Sequence, residues 1–101
     1  MDIQEPKITK EDILLLDDSH FNSNNVCIVT GAASGIGRAT AVAAAANKLM
    51  TVGLDIDEGG GKETQKMARE MGGQMIFIRT DLCEDQQIDY AVSEAARLGT
   101  I

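Results

Sequence analysis

Three short apolar runs alternate with longer helix-forming stretches over the last three quarters of the chain. The apolar runs are typical of strands buried on both faces, and they occupy residues 26–29, 50–55 and 75–78. Stretches with helical composition or spacing follow them, over residues 35–49, 62–71 and 81–98. The three glycines at 59–61 are predicted to be a flexible connector. Because alternating strands and helices form parallel sheets with right-handed crossovers, the pattern predicts an α/β fold with strand order 3-2-1. This β-α-β-α-β-α unit is the first half of a doubly wound parallel sheet.

Residues 1–24 precede this pattern and are predicted to form an N-terminal extension to a domain over residues 25–101. Thr9 is a candidate N-cap for a short helix in the extension. Residues 13–16 would form the apolar part of that helix and anchor it to the domain. Residues 17–25 are predicted to be a loop, because Asp, Ser and Asn dominate them.

A glycine-rich stretch joins the first strand to the first helix. Thr30 is followed by Gly31, Gly35 and Gly37 in the spacing Gly-x-x-x-Gly-x-Gly. Such glycines let the backbone approach a phosphate closely, and the N–H groups at a helix start point at it. No acidic residue lies between Thr30 and Asn47 to repel the phosphate. The stretch therefore predicts an anion site, although its spacing differs from both Gly-x-Gly-x-x-Gly and the P-loop.

With Thr30 in front, the stretch reads Thr-Gly-x-x-x-Gly-x-Gly, and from Asn25 onward the chain resembles the short-chain dehydrogenase/reductase family. The resemblance implies a Rossmann-type fold that binds a nicotinamide dinucleotide. It also implies which residues hold the pyrophosphate and its ribose, namely Gly31, Ser34, Gly35, Ile36 and Gly37.

Asp55 is the second informative residue. It ends the second predicted strand, 18 residues after Gly37, where a dinucleotide fold places the acid that binds the adenosine ribose. A carboxylate there accepts from both ribose hydroxyls and repels a 2′-phosphate. In the family that this chain resembles, a 2′-phosphate usually goes with a basic residue before the second glycine or just after the second strand. Those positions hold Ser34 and Ile56, and Arg38 falls within the helix, so the predicted cofactor is NAD. Ile56, next to Asp55, is itself predicted to be a cofactor-binding residue.

Asp81 and Leu82 follow the third predicted strand. The resemblance implies that an Asp-Leu pair at this point contacts the adenine amino group and ring. The alternative is that Asp81 only begins the next helix, as Asp often does.

The catalytic set that the resemblance implies is a Ser, a Tyr-x-x-x-Lys pair and a supporting Asn. The only tyrosine, Tyr90, is followed four residues later by Glu94, so we assign no catalytic residue in this stretch. His20 lies in the polar loop and is predicted to be a solvated histidine. Thr100 and Ile101 are expected to begin a fourth strand, and the chain to be part of a longer dehydrogenase. Similarity to 3-hydroxybutyrate dehydrogenase-like members suggests a secondary alcohol or ketone substrate, such as a 3-hydroxy acid.

The composition limits the partners. A net charge of −7 argues against nucleic acid or an anionic membrane surface. No apolar stretch approaches the ~20 residues of a membrane helix, and the acidic N-terminus does not resemble a signal peptide. Cys27 and Cys83 are too far apart to indicate a disulfide scaffold or a metal site. We therefore expect a cytoplasmic protein with reduced thiols, and the family resemblance implies a homo-oligomer.

Two other functions remain open. One is a non-catalytic dinucleotide-binding or regulatory module, which would make the same adenosine contacts without turnover. The other is a methyltransferase-type Rossmann half, which also ends its second strand in an acid but usually has a differently spaced glycine loop. Binding of adenosylmethionine in place of NADH would reveal the latter.

Overall fold

Three strands and three helices alternate along the chain in a computed structural model, which describes residues 8–101. The strands are β1, Val26–Thr30; β2, Met50–Asp55; and β3, Gln74–Arg79. The helices are α1, Gly35–Ala46; α2, Glu58–Glu70; and α3, Asp85–Ala96. This order confirms the α/β fold predicted from the sequence. β2 has the predicted bounds, and no other boundary differs from its prediction by more than four residues.

The three strands form one parallel sheet in which β2 lies between β1 and β3. Thr30, Leu54 and Ile78 are aligned across it, so the strands end side by side at one edge. The predicted order 3-2-1 is confirmed. Because ligands of open α/β sheets bind beyond the carboxyl ends of the strands, this edge is where a site is expected.

The last residues of the chain run beside β1. Thr100 forms a parallel bridge with Asn25. The Val26 N–H donates to the Thr100 carbonyl at 2.7 Å, and the Thr100 N–H donates to the Asn24 carbonyl at 2.9 Å. This isolated bridge lies on the side of β1 away from β2, where the fourth strand is expected to begin, although residues 100–101 do not themselves form a strand.

The sheet is covered on both faces. One face packs against α1 and α2 through a core of Val29, Ala32, Ala41, Val42, Ala45, Ala68, Met75 and Phe77. The other face packs against α3 through Val26, Met50, Val52, Leu54, Ala91 and Ala95. Small side chains dominate the helix positions in both cores, so the helices approach the sheet closely.

The extension does not form the predicted apolar helix. Its only helical part among the described residues is a single 3₁₀ turn, Lys10–Asp12. The prediction for residues 13–16 is wrong because Asn47, far away in sequence, binds this backbone instead. The Leu16 N–H donates to the Asn47 side-chain oxygen at 2.6 Å, and the Asn47 side-chain N–H donates to the Leu14 carbonyl at 2.9 Å. The anchors are Ile8 and Ile13, which pack against the core, whereas residues 14–16 are exposed.

The glycines at 59–61 are not a flexible connector. They lie within the first turn of α2, which begins at Glu58. Asp57 caps the helix, because its side chain accepts from the Gly60 N–H at 3.1 Å. A Cβ on Gly61 would overlap the ring of Phe77 in β3, so the absence of a side chain lets α2 lie against the sheet.

Candidate functional site

The loop between β1 and α1 depends on its three glycines. Gly31 has φ +70° and Gly35 has φ +57°, a backbone region that other residues rarely adopt. Gly37 has no room for a side chain, because a Cβ would overlap the Gly31 carbonyl. The loop therefore folds tightly onto the start of α1.

The start of α1 is favourable for an anion. Its first turn contains no acidic residue, and the first N–H groups of a helix have no partner within the helix. The side chain of Ser34, the N-cap residue, makes no capping hydrogen bond. Ile36 is 87% exposed. The four residues from Ser34 to Gly37 thus present backbone N–H groups and one hydroxyl at the carboxyl end of the sheet.

Asp55 lies beside this loop at the end of β2. One carboxylate oxygen, Oδ2, accepts from the Ala33 N–H at 3.0 Å. The other, Oδ1, accepts from the Asp57 N–H at 3.0 Å. Each oxygen has a second lone pair, so the carboxylate can still accept from a pair of hydroxyls. The structure thus places an oriented carboxylate next to the glycine loop.

The segment after β3 is held in a defined turn. The Asp81 N–H donates to the Gln87 side chain at 2.8 Å, and the Asp81 Oδ1 accepts from the Cys83 N–H at 2.9 Å. Leu82 is about half exposed, whereas Thr80 is buried and its N–H donates to the Asp55 carbonyl at 2.8 Å. Asp81 therefore stabilises this turn through Oδ1, and its other carboxylate oxygen, Oδ2, remains available to a ligand.

These strand ends enclose a cavity of about 220 Å³, which is lined by Gly31, Asp55, Ile56, Thr80, Asp81, Leu82 and Cys83. Five of the seven residues were predicted from the sequence to bind the cofactor. The other four predicted residues, Ser34, Gly35, Ile36 and Gly37, lie along the adjoining loop and helix start rather than in the cavity wall. A larger cavity of about 350 Å³ lies at the opposite end of the sheet, near residues 22–23 and 72–74, and contains none of them.

Sequence reasoning missed Thr80 and Cys83 as lining residues. Both residues lie within two positions of Asp81, after the end of a strand. Ligand cavities of open α/β sheets lie beyond the strand ends, so this position could have indicated them. Sequence reasoning also assigned Arg38 no role beyond its place in α1. The guanidinium is turned inward, with Nη2 donating to the Ala33 carbonyl at 2.7 Å and Nε donating to the Thr64 hydroxyl at 2.9 Å.

The remaining ionisable candidates lie away from the cavity. His20 is in an exposed loop, which confirms the prediction of a solvated histidine, and its Nδ1 lies 2.9 Å from the Asp18 carboxylate. Its carbonyl accepts from the Asn25 side chain just before β1, at the opposite end of the sheet. Tyr90 is 60% exposed on α3, as expected for an ordinary helix residue. Residues 8–101 contain no cluster of three or more His, Cys, Asp or Glu side chains that could hold a metal. They also contain no helix that could cross a membrane.

Comparison with known proteins identifies the same fold. The family model for short chain dehydrogenase matches residues 25–101. A Thermotoga maritima protein named as an uncharacterized oxidoreductase is 34% identical over 73 residues, which cover 72% of this chain and 28% of that protein. The chain therefore spans about 28% of the length of this relative.

Solved structures agree with the family match. A short chain dehydrogenase/reductase from Burkholderia phymatum in complex with NAD is 33% identical, with a TM-score of 0.72 over 78% of this chain and 28% of that one. An actinorhodin polyketide ketoreductase variant with NADPH is 30% identical, with a TM-score of 0.70 over 75% of this chain and 30% of that one. In both cases this chain matches less than one third of the solved chain.

Proposed function

The chain belongs to the short chain dehydrogenase family, and from that premise we propose that it is the cofactor-binding half of an NAD-dependent oxidoreductase. The observation that carries the proposal is the position of Asp55. Its carboxylate lies at the end of the middle strand, beside the glycine loop, and lines the same cavity as Asp81 and Leu82.

A dinucleotide fits the residues present. Gly37 packs tightly against Gly31, so no side chain at this position covers the backbone at the start of α1. A pyrophosphate needs such an uncovered backbone in order to approach the N–H groups closely. We propose that Gly31, Ser34, Gly35, Ile36 and Gly37 hold the pyrophosphate and its ribose. Asp55 and Ile56 would hold the adenosine ribose, and Asp81 and Leu82 the adenine.

The proposed preference for NAD over NADP also depends on what surrounds Asp55. The carboxylate would repel a 2′-phosphate, and the neighbouring Ser34 and Ile56 carry no positive charge to compensate. Arg38 is the nearest cation along the loop, but its guanidinium is hydrogen-bonded to the protein interior. Similar structures contain NAD in one case and NADPH in another, so the preference depends on these residues and not on the fold.

The direct test compares the dissociation constants of NADH and NADPH for the protein and for Asp55→Ala. Because a hydrogen bond to a charged group contributes about 1.5–3 kcal/mol, the substitution should weaken NADH binding by about tenfold or more. The affinity for NADPH should stay the same or rise. The matched control is Asp89→Ala, which removes an exposed acid from α3 and should change neither constant. Equal or tighter binding of NADPH by the unaltered protein would contradict the proposal.

The bound nicotinamide would supply the hydride acceptor or donor in the reaction. The part played by this chain is to bind and orient that cofactor, since the Ser and the Tyr-x-x-x-Lys pair are not within these 101 residues. We propose a secondary alcohol or ketone substrate, with 3-hydroxy acids as the first compounds to assay. The assay has to use the intact dehydrogenase that we propose. A change in NADH absorbance with one of the candidate alcohols would then distinguish an enzyme from a binding module without turnover.

The organisation of the protein is part of the proposal. Residues 1–24 form an extension, and the dinucleotide-binding domain begins at residue 25, where the family match also begins. Both cysteines are free, which is compatible with the cytoplasmic location that we propose. We also propose a homo-oligomer, for which the mass of the native particle in solution is the test.

A further inference from the structure

Next to the proposed nucleotide cavity, hydrogen bonds form a closed ring that joins two loops. One is the loop after β1, and the other is the loop after β2, taken together with the first turn of α2. The Asp55 carboxylate accepts from the Ala33 N–H, and the Ala33 carbonyl accepts from the Arg38 guanidinium at 2.7 Å. The same Arg38 nitrogen donates to the Gly60 carbonyl at 3.2 Å. The Gly60 N–H donates to Asp57, and the Asp57 N–H donates back to Asp55. Arg38 is the one side chain of the ring that comes from α1.

A buried hydroxyl fixes the position of Arg38. Thr64 is fully buried in α2, and its Oγ1 accepts from the Arg38 Nε at 2.9 Å. The Thr64 hydroxyl in turn lies 2.7 Å from the Ala32 carbonyl. A Cβ on Gly60 would come 2.7 Å from the Ala33 carbonyl, so the two loops are as close as their backbones allow. Arg38 therefore sits at the point where the loops approach each other most closely.

We infer that Arg38 is a positioning residue, which orients the Asp55 carboxylate toward the cavity by holding Ala33 and Gly60 at a fixed separation. This inference rests on the proposed function, because it gives Asp55 the task of selecting the adenosine ribose. Without Arg38, the Ala33 N–H is no longer held in place, and the carboxylate that it orients can rotate. A carboxylate in the wrong rotamer still repels a 2′-phosphate but no longer accepts from both hydroxyls. Loss of Arg38 should therefore weaken NADH binding and leave NADPH binding nearly unchanged.

The experiment combines Arg38→Met with Asp55→Ala in a double-mutant cycle, and Arg97→Met is the matched control. Arg97 pairs with Glu94 on the exposed surface of α3, away from both loops. The dissociation constants of NADH and NADPH are measured for the protein and for each variant. We expect Arg38→Met to weaken NADH binding by about tenfold, the scale of coupling between residues of one network. Arg38→Met should also lower the preference for NADH over NADPH by a similar factor. It should cause no further loss of NADH affinity in a protein that already carries Asp55→Ala.

A second readout needs no cofactor. Hydrogen exchange of the Ala33 amide reports directly on its bond to Asp55, and Arg38→Met should speed this exchange as Asp55→Ala does. Thr64→Val, which removes one of the acceptors of Arg38 with little change in shape, should have a smaller effect in the same direction. If Arg38→Met does not fold, Thr64→Val carries both readouts.

The outcomes separate the two proposals. If the unaltered protein binds neither nucleotide, the proposed function fails, and the exchange rate of Ala33 still decides whether Arg38 orients the loop. If Arg38→Met lowers stability but leaves selectivity and the Ala33 exchange rate unchanged, Arg38 is merely structural and the inference is overturned. The same holds if its effect on NADH binding persists in full in the Asp55→Ala protein.

Discussion

Gly37 lies against the carbonyl of Gly31, so closely that a methyl group on Gly37 would overlap the oxygen. This contact closes the loop between β1 and α1 and exposes the backbone to which a pyrophosphate would bind. We therefore expect Gly37→Ala to lose about 1–3 kcal/mol of unfolding free energy, the usual cost of overpacking. It should also weaken NADH binding by about tenfold or more, or about 1.4 kcal/mol. Urea unfolding and NADH titration measure the two effects.

The control for this variant is Gly72→Ala. Gly72 has φ +83° and no neighbour near its missing side chain, so the substitution strains the backbone without filling any space. It should lose about 1–2 kcal/mol of stability because the conformation is left-handed, yet bind NADH as the unaltered protein does. If both variants lose affinity equally, the loss follows stability and not the loop.

The glycines of α2 should respond in opposite ways to the same substitution. Gly59 is exposed and has ordinary contacts, so Gly59→Ala should stabilise the protein by about 0.4–1 kcal/mol by restricting the unfolded chain. Gly61→Ala would overlap the Phe77 ring and should cost about 1–3 kcal/mol. Urea unfolding distinguishes the two signs. Phe77→Leu removes Cε1 and Cζ, two of the three overlapping ring atoms, so the double variant with Gly61→Ala should be less unstable than the sum of the two changes. Simple additivity would mean that α2 does not depend on this contact.

The contrast between these glycines shows how far the sequence could be interpreted. Period and spacing predicted the strands, the helices, the glycine turn and the place of Asp55 at a strand end, because each depends on local pattern and on parallel-sheet geometry. The family resemblance added Asp81. The same three-glycine run was interpreted as a connector, because glycine composition predicts flexibility. The contact of Gly61 with Phe77 joins two elements, and no local pattern reports it.

The helix predicted in the extension is absent for a related reason. Residues 13–16 have helical composition, but Asn47 supplies hydrogen bonds to Leu14 and Leu16 from more than 30 positions away. A side chain that meets the backbone in this way competes with helix formation, and only the folded chain brings it there. The inward direction of Arg38 is equally a product of tertiary contact, since its acceptors lie in the loop after β1 and on α2.

Cys83 offers a chemical probe of the cavity. It is exposed in the cavity wall, whereas Cys27 is half-buried in β1, and burial raises the pKa of the Cys27 thiol above its usual value. Because the thiolate is the reactive form, Cys27 has less of it at pH 8 and should react more slowly than an exposed thiol. Iodoacetamide should therefore modify Cys83 first, and the rate at Cys27 should rise as the pH approaches its raised pKa. Mass spectrometry of peptides follows both sites.

The same reaction tests the location of the cofactor. A carboxamidomethyl group on Cys83 would take up part of a cavity of only about 220 Å³, so the modified protein should lose affinity for NADH. Saturating NADH should in turn slow the modification. Cys83→Ser should remove both effects, and Cys27→Ser should leave both intact. Undiminished NADH binding by protein labelled at Cys83 would place the adenosine outside this cavity.

Asn47 should hold the extension without influencing the cofactor. It caps the far end of α1, about 18 Å along the helix from Gly35, and its amide also donates to the Ala43 carbonyl. Asn47→Ala removes the partners of Leu14 and Leu16, which lie near solvent, so the cost should be about 1 kcal/mol, at the lower end for such bonds. Asn47→Asp keeps the acceptor for the Leu16 N–H, but its second carboxylate oxygen would face the Leu14 and Ala43 carbonyls, so it should cost at least as much as Asn47→Ala. Thermolysin, which cleaves beside leucine, should cut residues 14–16 faster in both variants than in the unaltered protein. NADH affinity should be the same in both variants, and equal cleavage rates in all three proteins would mean that the packing of Ile8 and Ile13 holds the extension without Asn47.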